Sequence, residues 1–357
     1  MMKKMFLLAA AALVVFASCS KSDVEKAAET KAIGFNSYTG RAVTKANGSF
    51  IDKGSTALPN GGKFVVYAYN TKDADWGTGA TSTTPVFMNG VTVTYAGGGA
   101  TTSSNYSYYP LRYWPNDEAH NKLSFFAYYP QGGTGITAPT AAPAGWGAYS
   151  FTAQTDPANM VDFCLSKVAQ DYKYSNSASK SGASAGDVKM EFYHTLTMVK
   201  FKVKTDADYA TGGTTITLKS IKLAGVKTTG TLTPDNTTAA WSALGGAATL
   251  DVCKTDKTLT TSEIFVPTGT EEDDAYLMIP QTLGDDVIAT IVYEVKTGTE
   301  DATTNTATVT LNTDATVKNW DMNKNIVYTF VVGLKPINFI AEVADWAAKQ
   351  DVSFDVN

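Results

Sequence analysis

Arginine is nearly missing from this chain of 357 residues, occurring at Arg41 and Arg112 and nowhere else. With a formal net charge of −5, that scarcity excludes a nucleic-acid partner, because phosphate binding needs clustered Lys and Arg. Histidine is as scarce, at His120 and His194, so a His-rich metal site is excluded. Cysteine occurs at positions 19, 164 and 253 with no CxxC pair, which argues against zinc and redox roles. No GxSxG elbow and no GxxxxGK[ST] phosphate loop is present. Beyond the N-terminus no apolar run reaches the length of a membrane helix. Charged residues make up 18% and hydrophobic residues 44%, a balance that folds rather than staying disordered.

What the chain does have begins at its start. Met1-Met2-Lys3-Lys4 is a short basic region and Met5–Ala17 an apolar one too short to span a bilayer. It ends in Phe16-Ala17-Ser18-Cys19, where small residues directly precede a cysteine. That pattern predicts a lipoprotein signal over 1–18, with Cys19 acylated and fixed in outer-membrane lipid; the alternative is an ordinary signal peptide with a chance cysteine. Removing 1–18 deletes Lys3 and Lys4 and no acid, so −5 becomes −7. Each buried acyl methylene contributes about 0.8 kcal/mol, so two or three chains anchor firmly. Export permits a disulfide between Cys164 and Cys253, but their spacing leaves two buried thiols as the plainer expectation.

Along the chain, period-two alternation dominates and predicts an all-β fold. Phe64–Tyr69, Val86–Met88, Val91–Tyr95 and Lys122–Tyr129 read as strands. Thr215–Leu223, Ala275–Ile279, Asp286–Val295, Thr304–Leu311 and Val327–Leu334 follow. The stretch 131–150, rich in Gly and Pro, reads as a surface loop. SNSASKSGASAGD (175–187) is almost entirely small and polar, and reads as a linker or mobile loop. Strand patterning restarts with VKMEFYHTLTMVKFKVK (188–204). Short strands between turn signals suggest two packed-sheet sandwiches, with no repeat that would indicate a solenoid or propeller.

Candidates for chemistry are few. His120, in a polar turn, reads as solvated, and His194, inside a strand, as a satisfied imidazole rather than a base. Glu271-Glu272-Asp273-Asp274 lacks the spacing of a calcium loop and reads as a solvated turn. Trp114 and Trp346 lie in apolar surroundings, whereas Trp76 and Trp146, in Gly-rich stretches, are the candidates for exposed sugar-stacking rings. No catalytic residue and no cofactor is predicted.

Several phrases together resemble the fimbrillin family of lipoprotein-derived surface pilins from Gram-negative anaerobes. They are RYWPNDEAHNKLSFFAYYP (112–130), MEFYHTLTMVKFKVK (190–204), IKLAGVKTTGTLTPDNTTAAW (221–241), AYLMIPQTLGDDVIATIVYEV (275–295) and NKNIVYTFVVGLKPINFIAEVADW (323–346). The resemblance implies two β-sandwich domains of transthyretin-like Greek-key topology in tandem, over 19–184 and 185–357. It implies that an arginine-specific surface protease removes a lipidated leader, residues 19–41, together with the first strand. A terminal segment of another fimbrial subunit then fills the vacated groove. It also implies a place on the outer membrane or in a surface fimbria, and a receptor on a host or bacterial surface.

The residues suit that scheme. Ile33 and Phe35 alternate with Gly34 and Asn36, giving the leader strand one apolar face whose burial contributes roughly 1.5–3 kcal/mol per side chain. Arg41, followed by Ala42, is the expected cut, with Lys45 the counterpart for a lysine-specific enzyme. At the other end Val352, Phe354 and Val356 share a face opposite Asp351, Ser353 and Asp355, the pattern of a donor strand. That segment reads equally as an ordinary last strand of its own sandwich. A monomeric glycan-binding surface lipoprotein is the competing reading.

Overall fold

The computed structural model describes residues 31–39, 58–79, 84, 86–97, 103–140, 146–236, 238–269, 274–313, 317–334 and 338–345. Cys19, Arg41, Ala42, Lys45, Trp346, Val352, Phe354 and Val356 lie outside them.

The alternating segments form strands throughout, and the chain is all-β apart from short helical turns. Lys122–Tyr129 is a strand at the expected bounds, and Lys63–Lys72 extends the expected one at both ends. Val86–Met88 and Val91–Tyr95 join into one strand, Val86–Tyr95, because Gly90 carries the positive φ of 67° at the kink.

Most strands of the first half make one sheet. Across it run Gly34–Thr39, Asp187–His194, Cys164–Ser166, Lys122–Tyr129, Lys63–Lys72, Val86–Tyr95 and Tyr106–Ser107, with Ala169–Tyr172 pairing Lys122–Tyr129. One face carries a core of Phe35, Phe64, Phe125, Met190 and Phe192. The other carries an aromatic cluster of Tyr67, Tyr69, Trp76 and Phe126.

Two further sheets enclose a larger core, where Phe201, Tyr328 and Phe330 meet Leu218, Ile221 and Ile291. The spine of one is the 21-residue strand Thr214–Pro234, far longer than the 215–223 read from the sequence. It pairs with Ala239–Cys253, Lys257–Thr258, Ile288–Thr297 and Tyr149–Thr152 in turn. Its later half, VKTTGTLTP, is rich in Thr and Gly and so carries little of the apolar alternation that marks a strand in sequence.

Two expectations need correction. First, 131–150 is not simply a surface loop: Ile136–Thr137 pairs with Tyr149–Thr152, which adds to the long second-half strand. Phe151 stacks on Phe163 with ring centroids 5.5 Å apart, which repays the crossing with aromatic burial. Second, 175–187 contains the helix Tyr174–Ser181. Asn176 Oδ1 accepts from the Lys173 N–H (2.8 Å), and Gly182, at φ +66°, ends the helix by donating to the Ala178 carbonyl. Two of its serines, Ser177 and Ser181, pack inward: Ser177 is fully buried and its Oγ accepts from the Gly186 N–H at 2.7 Å. Asp187–His194 pairs with Cys164–Ser166, and only Thr197–Thr205 enters the next sheet.

Asp274 also departs from its expected solvated turn. It is fully buried and accepts from the Thr268 N–H (2.8 Å), the Thr268 hydroxyl (2.7 Å) and the Gly269 N–H (3.0 Å). Hydrogen bonds to a charged acceptor contribute roughly 1.5–3 kcal/mol each, and donors left unmet cost more. Asp274→Ala is therefore expected to lower the thermal midpoint measurably, with Asp274→Asn milder; equal midpoints for wild type and Asp274→Ala would refute the assignment.

Candidate functional site around the first strand

The first strand, Gly34–Thr39, lies at the edge of its sheet. It runs parallel to Asp187–His194, with Gly34 opposite Asp187 and Thr39 opposite Phe192. Its apolar face is as the alternation predicts: Ile33 is 2% exposed and Phe35 1%. The Phe35 ring meets Tyr108, Phe125 and Phe64 edge-on, with centroids 5.4, 6.0 and 6.3 Å away. Ser37 Oγ lies 2.7 Å from the Tyr106 hydroxyl, so the next inward position is small and polar.

On its outer side the strand is held at its beginning. Ile33 N–H donates to the Arg112 carbonyl (2.9 Å), Trp114 N–H to the Lys31 carbonyl (2.9 Å), and Tyr108 O–H to the Ile33 carbonyl (2.9 Å). Among the described residues, the single bridge Ala32–Tyr113 is the only strand-like pairing on that side. The strand is thus held by its ladder with Asp187–Phe192, by its buried side chains and by these bonds at its beginning.

Gly34 meets a close approach. A Cβ placed there would lie 2.2 Å from Asp187 Oδ1 and 2.7 Å from Ser103 Cβ, so no other residue fits this backbone without movement. Asp187 is 3% exposed and its Oδ2 has no hydrogen-bond partner. Burial pushes its carboxyl above the ordinary carboxylate range, against bonds from the Ser103 side chain and the Ser184 backbone that draw it down. Nothing in the residue pattern marks Asp187, since its partner Gly34 lies some 150 positions away along the chain.

Comparison with known proteins decides the family. The fimbrillin-like family model matches residues 44–346. The chain belongs to the fimbrillin-like family. The fimbrium subunit Fim1C of Phocaeicola vulgatus is 30% identical over 229 residues, covering 61% of this chain. The chain spans about half the length of that relative, 55% of it. A crystal structure of a fimbrial protein from Bacteroides vulgatus superposes with a TM-score of 0.65 at 22% identity, covering 88% of this chain and 99% of that one. That likeness supports the all-β fold.

Within this fimbrillin-like fold the remaining sequence candidates fall as follows. Arg112 is exposed, but its N–H donates to the Tyr108 hydroxyl and its carbonyl accepts from Ile33, so its backbone is pinned while the first strand is seated. Trp114 is core, and its Nε1–H donates to the Gly186 carbonyl at 3.0 Å. Trp76 is 2% exposed, contrary to the expectation of an exposed ring: it packs against Tyr69, Phe126 and Trp146 and donates to Asn236 Oδ1 at 2.8 Å. Trp146 is half-buried beside it. Among the described residues the exposed aromatics are instead Tyr109 and Tyr113, which flank Leu111 on the segment bordering the first strand.

His120 is exposed as expected, 2.9 Å from Asp73, whose carboxylate raises its pKa. His194 is buried in its strand as expected and engaged through one ring nitrogen: its Nδ1 lies 2.9 Å from Asp162 Oδ1, which also accepts from the Cys164 thiol at 3.3 Å. These three are the one set of potential metal ligands grouped among the described residues. Burial, and then the Asp162 charge, push the Cys164 thiol well up, so it stays a protonated donor and the trio is a hydrogen-bonded core cluster. Sequence reading missed Asp162, because its partners come from two different strands with no recurrent spacing. Cys164 and Cys253 are free and buried, the plainer of the two expectations.

Proposed function

We propose that this chain is a structural subunit of a cell-surface fimbria, exported as a lipoprotein acylated on Cys19 and assembled by strand exchange. Proteolysis after Arg41 starts the exchange, and the released leader carries the first strand away. The observation that carries this reading is the seat of the first strand, whose Ile33 and Phe35 side chains are buried and which, among the described residues, pairs along Gly34–Thr39 with one neighbouring strand. Its departure opens an apolar slot above Phe64 and Phe125 and leaves the backbone of Asp187–Phe192 without its partner. Unpaired strand edges over apolar floors are filled by other strands.

Further support comes from the family match, which begins at residue 44, just beyond Arg41, and from the relatives named as fimbrial proteins. On this reading the partners are other fimbrial subunits, membrane lipid through Cys19 before cleavage, an arginine-specific protease and a surface receptor. On this reading Val352, Phe354 and Val356 belong to a segment that the chain donates elsewhere. The scheme assigns no catalysis. The glycan-binding alternative loses its main candidate, since Trp76 is buried.

The test is N-terminal sequencing of protein released from cells. Wild type is expected to begin at Ala42 and to form a ladder of polymers under mild denaturation. Arg41→Ala is expected to remain lipidated, uncut and monomeric. Polymers containing an intact Cys19 end, formed equally well by Arg41→Ala, would contradict the scheme.

A further inference from the structure

The slot occupied by the first strand has three places with different demands. Ile33 and Phe35 fill apolar ones, and the residue between them faces a buried carboxylate. There a Cβ would meet Asp187 Oδ1 at 2.2 Å and Ser103 Cβ at 2.7 Å. Swinging the carboxylate aside would break its bonds from Ser103 and Ser184 inside a buried pocket. The next two places are also specified. Asn36 is buried at 4% exposure, and Ser37 bonds to the Tyr106 hydroxyl.

The candidate donor segment of this chain, residues 346–357, contains no glycine. Val352, Phe354 and Val356 are their alternating apolar residues, and any adjacent pair of these brackets either Ser353 or Asp355. This holds whichever way the strand runs, so Ser353 or Asp355 must face Asp187. Asp355 would set a second carboxylate against a buried one. With Ser353 there, running as the first strand does, Asp355 takes the buried place of Asn36 and Val356 that of Ser37, leaving the Tyr106 hydroxyl without that partner.

We infer that this groove rejects the chain's own C-terminal segment and is built for a strand from a different subunit, one with glycine between an aliphatic and an aromatic residue and small polar residues after them. Gly34 and Asp187 are the selecting pair. The segment 346–357 then serves a different acceptor. This inference rests on the strand-exchange reading.

The full mature chain, cut after Arg41 and freed of its first strand in mild denaturant, is the material for the test. Labelled peptides of residues 31–39, the same peptide with Gly34→Ser or Gly34→Asp, and residues 346–357 are titrated into it. Crowding a packed site costs about 1–3 kcal/mol, so Gly34→Ser is expected to bind at least about tenfold more weakly than the natural peptide. Gly34→Asp and the 346–357 peptide, which bury a carboxylate, are expected to lose at least about a hundredfold. Asp187→Ala in the acceptor is expected to shrink the Gly34→Ser penalty at least about threefold, because it removes the nearest obstructing atom while the Ser103 Cβ contact remains. Asp187→Asn keeps the side chain's shape and is expected to relieve Gly34→Asp but not Gly34→Ser. Binding of 346–357 equal to that of 31–39, or an unchanged Gly34→Ser penalty in Asp187→Ala, would overturn the selection. Failure of the natural 31–39 peptide itself to re-enter the groove would remove the strand-exchange reading, and this inference with it.

Discussion

Phe35→Ala is expected to unseat the first strand while the rest of the chain stays folded. Phe35 is 1% exposed and its ring contacts three others, so truncation removes the largest apolar anchor of the strand. Phe→Ala in a core costs about 3–5 kcal/mol. An edge strand with one paired neighbour has few other sources of stability, essentially Ile33, its ladder with Asp187–Phe192 and the bonds near Arg112 and Tyr108. The loss therefore appears as local opening rather than global unfolding. Backbone hydrogen exchange should accelerate across Gly34–Thr39 and its partner Asp187–Phe192, and a protease should cut after Arg41 faster than in wild type. A fall in the global denaturation midpoint, with Gly34–Thr39 still as protected as before, would show that the strand is an integral part of the core.

Asp162→Ala should do the opposite and destabilise the whole first-half sheet. Asp162 is fully buried, and its Oδ1 meets both His194 and Cys164. Removing one member of a buried charged or hydrogen-bonded set costs about 3–5 kcal/mol, because the partners keep their desolvation and lose their bond. Cys164 and His194 stand opposite each other on adjacent strands, Cys164–Ser166 and Asp187–His194, and the latter is the strand that seats the leader. Asp162→Asn keeps an acceptor and should cost less. The check is the urea midpoint of each variant; a midpoint for Asp162→Ala within error of wild type would remove the cluster from the account of stability.

Strands with clean alternation are legible in the residue pattern alone, as Ile288–Thr297, with Ala289, Ile291 and Tyr293 buried, and the inward Ile33 and Phe35 show, because a half-buried pleat imposes period two. Pairing is not legible there. That Gly34–Thr39 lies parallel to Asp187–His194 depends on contacts about 150 residues apart, and parallel pairing leaves no turn signal. Small polar composition misleads at 175–187, where serine serves close packing in a capped helix as readily as it serves a flexible linker. Asp274 misleads for a related reason: acidic runs are usually solvated, but a carboxylate that accepts three loop bonds is held inside. The apolar places of the candidate site are visible in sequence, whereas Asp187, which decides what can lie between them, is recognised only through the fold.

The central claim is that the first strand can leave an otherwise intact protein and be replaced. Hydrogen exchange on the purified full chain, before and after cleavage at Arg41 and removal of the released strand, tests it most directly. The account predicts faster exchange confined to Asp187–Phe192 and the 112–114 border, reversed by adding a peptide of residues 31–39. Cooperative loss of protection throughout the first-half sheet, or a released strand whose removal changes nothing at Asp187–Phe192, would contradict it.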